Sequence, residues 1–182
     1  RGKPQKFYKT FNPERFYFED INLELPKGTS ILIVDTFKNK RETTAKLIEK
    51  FAKAYNITKP PSELSEKERK KILEKYNWIF EEFIENLKSN GDPEKLGKAM
   101  NENHFLLYPV STREIENIRK IALKMGAYGA KITGAGGKGG AVIILAPIED
   151  IEKITDSIIE KGYKVLPAEI SDRGPTVEIV IK

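Results

Sequence analysis

The chain has 182 residues, of which 39% are hydrophobic and 32% charged, and it contains one histidine and no cysteine. This composition excludes disulfides and thiolate chemistry, disfavours a zinc site, and leaves no apolar run near the roughly 20 residues of a membrane helix. The net charge of +5 suits an anionic small ligand or simply a mixed-charge surface, and no basic stripe with aromatic residues points to nucleic acid.

The N-terminal part of the chain predicts an arm, two strands and a helix. Residues 1–15 are polar and basic, and the opening RGKPQKFYK has no initiator Met, which indicates a start inside a longer protein. Alternating apolar residues predict strands over 16–25 and 29–36. The stretch KNKRETTAKLIEKFAKAY then predicts a helix with one apolar face, which consists of Thr44, Leu47, Ile48, Phe51 and Tyr55.

Three more helices are predicted in the middle of the chain. Ser65 and Glu68 have the spacing of a capping box, which predicts a long helix to about residue 88. Its apolar stripe consists of Ile72, Leu73, Tyr76, Ile79, Phe80, Phe83, Ile84 and Leu87, with Trp78 beside it, suited to an interface.

The next two helices have their own start signals. Asp92 as N-cap and Pro93 at the first helical position predict a helix to about residue 106. Ser111 and Glu114 have the spacing of a second capping box, for a helix that ends near Gly126.

The C-terminal part predicts strands at 129–133 and 141–145 around a glycine loop, a helix stopped by Gly162, and two closing strands, YKVLPAEI and TVEIVIK. Strands and helices are therefore segregated along the chain. This order predicts an α+β fold with an antiparallel sheet and helices mainly on one face.

The glycine loop, within KITGAGGKGGAVIILAP, has five glycines among residues 134–140. Successive backbone N–H groups in such a turn can form an anion-binding nest, and glycine leaves no Cβ to hold a phosphate away. A strand rather than a helix follows, so the loop is neither a P-loop nor a dinucleotide fingerprint. A glycine-rich hairpin turn without any ligand explains the pattern equally well.

Longer motifs resemble a known family. GAYGAKITGAGGKGGAVIILAP is similar to the third conserved motif of the GHMP kinases, the galacto-, homoserine, mevalonate and phosphomevalonate kinase superfamily, in its mevalonate kinase form. ILIVDTFKNKRETTAKLI, MNENHFLLYPVSTREIENI and AEISDRGPTVEI resemble other parts of the mevalonate kinases, in the expected order. Together these stretches cover most of residues 28–182.

The resemblance implies a fold and an activity. It implies that residues 16–182 form the ferredoxin-like C-terminal domain of a GHMP kinase, of archaeal type, with residues 1–15 as the linker from a missing N-terminal domain. The implied activity is ATP-dependent phosphorylation of the mevalonate hydroxyl in isoprenoid synthesis.

The resemblance also implies site residues. Those implied to bind ATP or its phosphates are Thr133, Gly134, Ala135, Gly136, Gly137, Lys138 and Gly139. Lys138 replaces a usual glycine, and its side chain either meets phosphate or points into solvent. Those implied to bind the acceptor are Thr44, Arg41, Lys40 and Thr43, although Thr44 at a helix start could equally face the core. For His104 the pattern favours a packed, hydrogen-bonded residue over a catalytic base, and for Asp35 a structural role over a base at a strand end.

The phosphate loop of these kinases, P-x-x-x-G-[LI]-[GA]-S-S-A, and their catalytic Asp and Lys belong to the N-terminal domain and have no counterpart here. The resemblance thus implies that this chain holds no catalytic or metal-binding residue, and that its missing domain binds most of the ATP and Mg²⁺. We expect the chain alone to be inactive and the intact protein to be a cytoplasmic kinase without nucleic-acid or membrane partners, with a homodimer left open.

Two alternatives remain at this point. A phosphomevalonate kinase has the same fold, and the extra cations Lys38, Lys40 and Arg41 would suit its acceptor. The other alternative is a ferredoxin-like interaction domain that binds no phosphate.

Overall fold

A computed structural model describes residues 5–9, 16–20, 24–36, 42–59 and 63–169, with the backbone alone at 5–9, 16–20, 71 and 72. Strand β1 (Gln5–Lys9) pairs antiparallel with β2 (Phe16–Asp20). A strand therefore lies within the segment predicted to be an arm. Within the described ranges, no helix is both long and apolar enough to cross a membrane.

Four strands form the main sheet, in the order β4–β5–β3–β6 with every pair antiparallel. They are β3 (Thr29–Asp35), β4 (Gly129–Thr133), β5 (Ala141–Pro147) and β6 (Lys164–Ala168). The predicted α+β class and antiparallel sheet are confirmed. The last predicted strand, TVEIVIK, lies outside the described residues.

Helices α4 (Arg113–Lys124) and α5 (Ile151–Ile159) contribute to the core on one face of this sheet. Because side chains alternate between the two faces of a strand, every second residue contributes to that core. Its buried sheet residues are Leu32, Val34, Ala130, Ile132, Val142, Ile144 and Ala146. Ile115, Ile118, Ile154 and Ile158 meet them from the helices and are fully buried.

Part of the opposite face is covered by α2 (Glu66–Asn86) and α3 (Pro93–Leu107). There Leu96 and Met100 of α3 cluster with Leu145 of the sheet. Helix α3 also approaches strand β4 very closely, since a Cβ on Gly97 would lie 2.4 Å from the carbonyl of Tyr128. This approach brings polar side chains of α3 within reach of the β4 backbone.

The first two predicted helix starts are confirmed. Ser65 and Glu68 form the reciprocal capping box of α2, and Asp92 accepts hydrogen bonds from two backbone N–H groups at the start of α3. The second predicted capping box is wrong, because Thr112 caps α4 and its Oγ1 accepts from the Ile115 N–H at 3.3 Å. Ser111 instead ends a 3₁₀ turn, Tyr108–Val110, which shifts the helix start by one residue.

The predicted apolar faces were too wide. In α1 (Thr44–Ala54), Leu47 is buried, whereas Ile48 is 63% exposed. In α2, Ile79 is buried but Leu73 and Phe80 are exposed. Trp78 is exposed too, as its position beside the stripe suggests.

Candidate functional site

The glycine loop joins β4 to β5 and needs its glycines for backbone conformation. Gly134, Gly136, Gly137 and Gly139 all have positive φ, between 70° and 76°. This left-handed region penalises residues that carry a Cβ, so the clustering of glycine has a direct conformational cause.

The second half of the loop is fastened to the rest of the domain. The Gly137 N–H donates to the Val110 carbonyl at 2.7 Å, so the loop is tied to the 3₁₀ turn. Thr36, just after β3, donates to the Gly140 carbonyl through its N–H at 3.3 Å and its hydroxyl at 2.8 Å. A Cβ on Gly136 would lie 2.8 Å from the Val110 carbonyl oxygen, so the packing at this position requires glycine as well.

Glu42, just before α1, makes a further attachment. Its Oε2 accepts from the Lys138 N–H at 3.0 Å, and its own N–H donates to the Lys138 carbonyl at 3.3 Å. Its Oε1 accepts from Lys50 Nζ. The hydrogen bond from Lys50, followed by that from the Lys138 amide, lowers the pKa of Glu42, so the carboxylate is ionised at neutral pH.

The first half of the loop is open. Gly134 and Ala135 are exposed, and a Cβ on Gly134 would meet nothing within 4 Å. The N–H groups of Gly134, Ala135 and Gly136 have no hydrogen-bond partner in the part of the chain that the structure describes. Adjacent free N–H groups on a turn with alternating backbone conformation are the donors that an anion needs. The side chain of Lys138 is exposed on the other half.

A cavity of about 470 Å³ adjoins the start of this loop, between the sheet and helices α2 and α3. Its lining is mostly apolar, with Lys131, Thr133 and Asn103 among the polar exceptions. Lys131 and Thr133 are alternate residues of β4 and share one face of the sheet. Burial lowers the pKa of Lys131. Its ammonium group has no hydrogen bond or ion pair within the described ranges.

Lys131 was not among the site residues predicted from the sequence. The available signal was a lysine in an otherwise apolar strand, two residues before Thr133. A half-buried cation beside an apolar cavity and an open loop is a suitable partner for a carboxylate or a phosphate.

A buried network behind β4 includes His104. Its Nδ1 accepts from the Ile132 N–H at 3.2 Å, and its Nε2 lies 2.8 Å from Glu116 Oε1. Because Nδ1 accepts, the proton of the neutral ring is on Nε2 and is donated to Glu116. Burial, followed by the charge of Arg119, lowers the pKa of His104. The ring is buried and hydrogen-bonded, as predicted, and its exclusion from catalysis stays a prediction.

Two more side chains form hydrogen bonds with the backbone along the edge of β4. Asn101 of α3 accepts from the Ala130 N–H at 3.1 Å and donates to the Tyr128 carbonyl at 3.2 Å. Arg119 of α4 donates through Nε to the Ala130 carbonyl at 2.7 Å. The strand that leads into the glycine loop is thus held by side chains along the edge at which no strand of the described residues pairs with it.

The residues predicted to bind the acceptor are only partly described. Thr43 caps α1, with its hydroxyl accepting from the Lys46 N–H at 3.4 Å. Thr44 is the first residue of α1 and is exposed, so the alternative that it faces the core is wrong. Lys40 and Arg41 lie outside the described residues. The hydrogen bonds of Glu42 to Lys138 attach the residue that precedes Thr43 and Thr44 to the glycine loop. No group of three acidic or histidine residues that could hold a metal ion occurs in the described ranges.

Known proteins share both the motifs and the fold. Residues 80–164 match the family model "GHMP kinases C terminal". The mevalonate kinase of Thermococcus gammatolerans is 41% identical over 113 residues, which are 61% of this chain and 32% of that protein. The mevalonate kinase of Thermococcus sibiricus is 30% identical over 176 residues, 91% of this chain and 49% of that protein.

Among solved structures, L. major mevalonate kinase in complex with R-mevalonate matches with a TM-score of 0.64 and 27% identity, over 86% of this chain and 44% of that one. The chain therefore spans between 32% and 49% of the length of these relatives.

Proposed function

We propose that this chain, which carries a GHMP kinase C-terminal domain, is the C-terminal part of an ATP-dependent mevalonate kinase. The observation that supports the proposal is the glycine loop: within the described ranges the N–H groups of Gly134, Ala135 and Gly136 are free, and Lys138 in the other half of the loop is hydrogen-bonded to Glu42, just before α1. Phosphoryl transfer depends mainly on positioning the phosphate and on stabilising the charge at the transferred group. The free N–H groups of the loop are hydrogen-bond donors that can serve both purposes.

The open N–H groups fit a phosphate of ATP. Gly134 leaves space for the close approach of the phosphate, and Ala135 and Gly136 supply neighbouring backbone N–H donors. Lys138 and Gly139 remain predicted contacts, although the backbone N–H of Lys138 is already taken by Glu42. The described residues do not fit Mg²⁺, which we assign, with most of the ATP, to an N-terminal domain.

The acceptor would lie on the other side of the loop. Mevalonate has a carboxylate, and Lys131 offers a cation without a partner in the described ranges, two residues before Thr133. Thr43 and Thr44 are exposed at the start of α1, next to Glu42, and offer hydroxyl groups on that side of the loop. Lys40 and Arg41 stay predictions for the same role. The chemical nature of these groups supports an anionic, polar acceptor.

The proposal extends to the whole protein. We infer that it works in the cytoplasm in isoprenoid synthesis, as a monomer or a homodimer, and that the 182-residue chain is inactive without its N-terminal domain.

An acceptor screen with the intact protein tests the function. ATP turnover should be fastest with mevalonate and slower by about 100-fold or more with phosphomevalonate or galactose, because a site built for one acceptor leaves polar groups unpaired with another. Faster turnover with phosphomevalonate would show that phosphomevalonate, and not mevalonate, is the acceptor. Failure to phosphorylate any alcohol would favour an interaction domain. Turnover by the 182-residue chain alone would contradict its predicted inactivity.

A further inference from the structure

Glu42 links the two segments on which the proposed reaction depends. It exchanges two hydrogen bonds with Lys138, at 3.0 Å and 3.3 Å, although the two residues are 96 positions apart. We propose that Glu42 is a positioning residue, which fixes the glycine loop against the start of α1. It would thereby set the distance between the open N–H groups of the loop and the acceptor-side threonines.

The other attachments of the loop cannot do this. Val110 belongs to the 3₁₀ turn, and Thr36 follows β3. Among the loop's hydrogen-bond partners in the described ranges, only Glu42 comes from the segment that starts α1, where the next residue, Thr43, is the N-cap. Loss of the Glu42 carboxylate would leave the 3.3 Å bond from the Glu42 N–H to the Lys138 carbonyl as the remaining hydrogen bond between the loop and this segment within the described ranges, so the loop would be held less firmly relative to Thr43 and Thr44.

The carboxylate is itself held from two directions. Lys50, on the second turn of α1, donates to one oxygen, and the Lys138 N–H donates to the other. The Glu42 side chain is only 19% exposed, whereas Lys50 is 51% exposed. A Cβ on Gly137 would lie 2.9 Å from Glu42 Oε2 and 2.6 Å from Leu47 Cδ2. Glycine at 137 is thus what allows the Glu42 carboxylate to reach the loop.

A competing role is that the carboxylate blocks the Lys138 N–H until a phosphate displaces it. The two roles predict opposite kinetics. A positioning residue raises kcat, whereas a blocking residue raises the KM for ATP. The inference rests on the proposed kinase function, so its test needs one measurement that does not depend on activity.

The test uses the intact protein with Glu42→Gln, Glu42→Ala and Lys50→Met. Glu49→Gln is the matched control, since Glu49 is an exposed acid on the same helix. We expect kcat to fall by about 10- to 100-fold in Glu42→Ala, because misplacement near 1 Å costs up to that much. The fall should be smaller in Glu42→Gln, whose amide oxygen can still accept from the Lys138 N–H. The KM for ATP should stay within about twofold, and Lys50→Met should have a smaller effect on kcat, since the Lys138 bond remains. The control should match the wild type.

Hydrogen exchange provides the second readout. The loop peptide that contains Lys138 should exchange faster in Glu42→Ala than in the wild type or in Glu49→Gln. Unchanged exchange, or faster exchange with unchanged kcat, would overturn the inference, and a lower KM for ATP would establish the blocking role instead. If the wild type phosphorylates no acceptor, the proposed function and the positioning role fail together, while exchange at Lys138 still decides whether Glu42 anchors the loop.

Discussion

His104 accepts a backbone hydrogen bond from Ile132, with 3.2 Å between Nδ1 and the amide nitrogen. This bond can form only while Nδ1 carries no proton, and it joins α3 to the strand that enters the glycine loop. Protonation of the ring would place two N–H groups opposite each other in a buried site. The charge state of one histidine is therefore coupled to the packing behind the loop.

We expect the protein to lose stability as the pH falls below about 6.5, the ordinary pKa of histidine. Burial and then the charges of Arg119 and, less strongly, Lys131 lower the pKa of folded His104, against the opposing effect of Glu116. The unfolded chain thus takes up a proton at a pH where the folded chain does not, and the free energy of unfolding decreases between these two pKa values. Urea unfolding at pH 8, 7, 6 and 5 measures this loss.

The His104→Gln variant is the control for this pH dependence. It is expected to be less stable than the wild type at pH 8 but to lose less stability between pH 7 and pH 5. Equal slopes in the two proteins would show that other groups cause the loss. Glu116 affects stability only at lower pH. Burial acts to raise the pKa of Glu116, but hydrogen bonds from Ser111 and His104 leave this pKa below the ordinary value.

Asn101→Ala should destabilise the protein by about 1–3 kcal/mol, because the buried Ala130 N–H loses its acceptor and the Tyr128 carbonyl loses a donor. Asn117→Ala, at an exposed position of α4, is the matched control and is expected to change the free energy of unfolding by less than about 0.5 kcal/mol. Chemical unfolding of both variants checks this. Equal effects would mean that water replaces Asn101 at the β4 edge.

Local signals explain what the sequence could predict. The capping box of Ser65 and the N-cap Asp92 act within three residues of the chain. The strands around the glycine loop are predicted by alternating apolar residues that end at glycine or proline. The start of α4 was misplaced by one residue because the 3₁₀ turn that ends at Ser111 has no distinct sequence pattern.

The parts of the site that the sequence did not predict depend on distant residues. Lys131 matters because α2 and α3 enclose a cavity against its strand, and Glu42 matters because it meets Lys138 across 96 positions. Neither contact leaves a periodic signal. Ile48 fits the apolar period of α1 but lies on a side that no described residue covers.

Gly134→Ala separates a ligand role of the loop from a packing role. Alanine at φ 71° costs about 1–2 kcal/mol of backbone strain, but its Cβ meets no atom within 4 Å. If the loop binds phosphate, kcat/KM for ATP should fall by about 10-fold or more, because the methyl group holds the phosphate off the N–H groups. Steady-state kinetics well below the thermal midpoint measure this fall.

Gly136→Ala is the comparison variant for the packing role. Its Cβ would lie 2.8 Å from the Val110 carbonyl oxygen, so we expect a larger loss of thermal stability than in Gly134→Ala. Full activity in Gly134→Ala would contradict phosphate binding at the open half of the loop.

Lys131→Met tests the cation beside the cavity. Methionine keeps most of the aliphatic volume and removes a charge that burial disfavours, so the thermal midpoint should stay the same or rise. The KM for mevalonate should increase by about 10- to 100-fold, the value of one charge-assisted hydrogen bond. Lys98→Met, at an exposed position of α3, is the matched control and should change neither quantity. Unchanged KM in Lys131→Met would remove Lys131 from the acceptor site and leave the threonines of α1 as the remaining candidates.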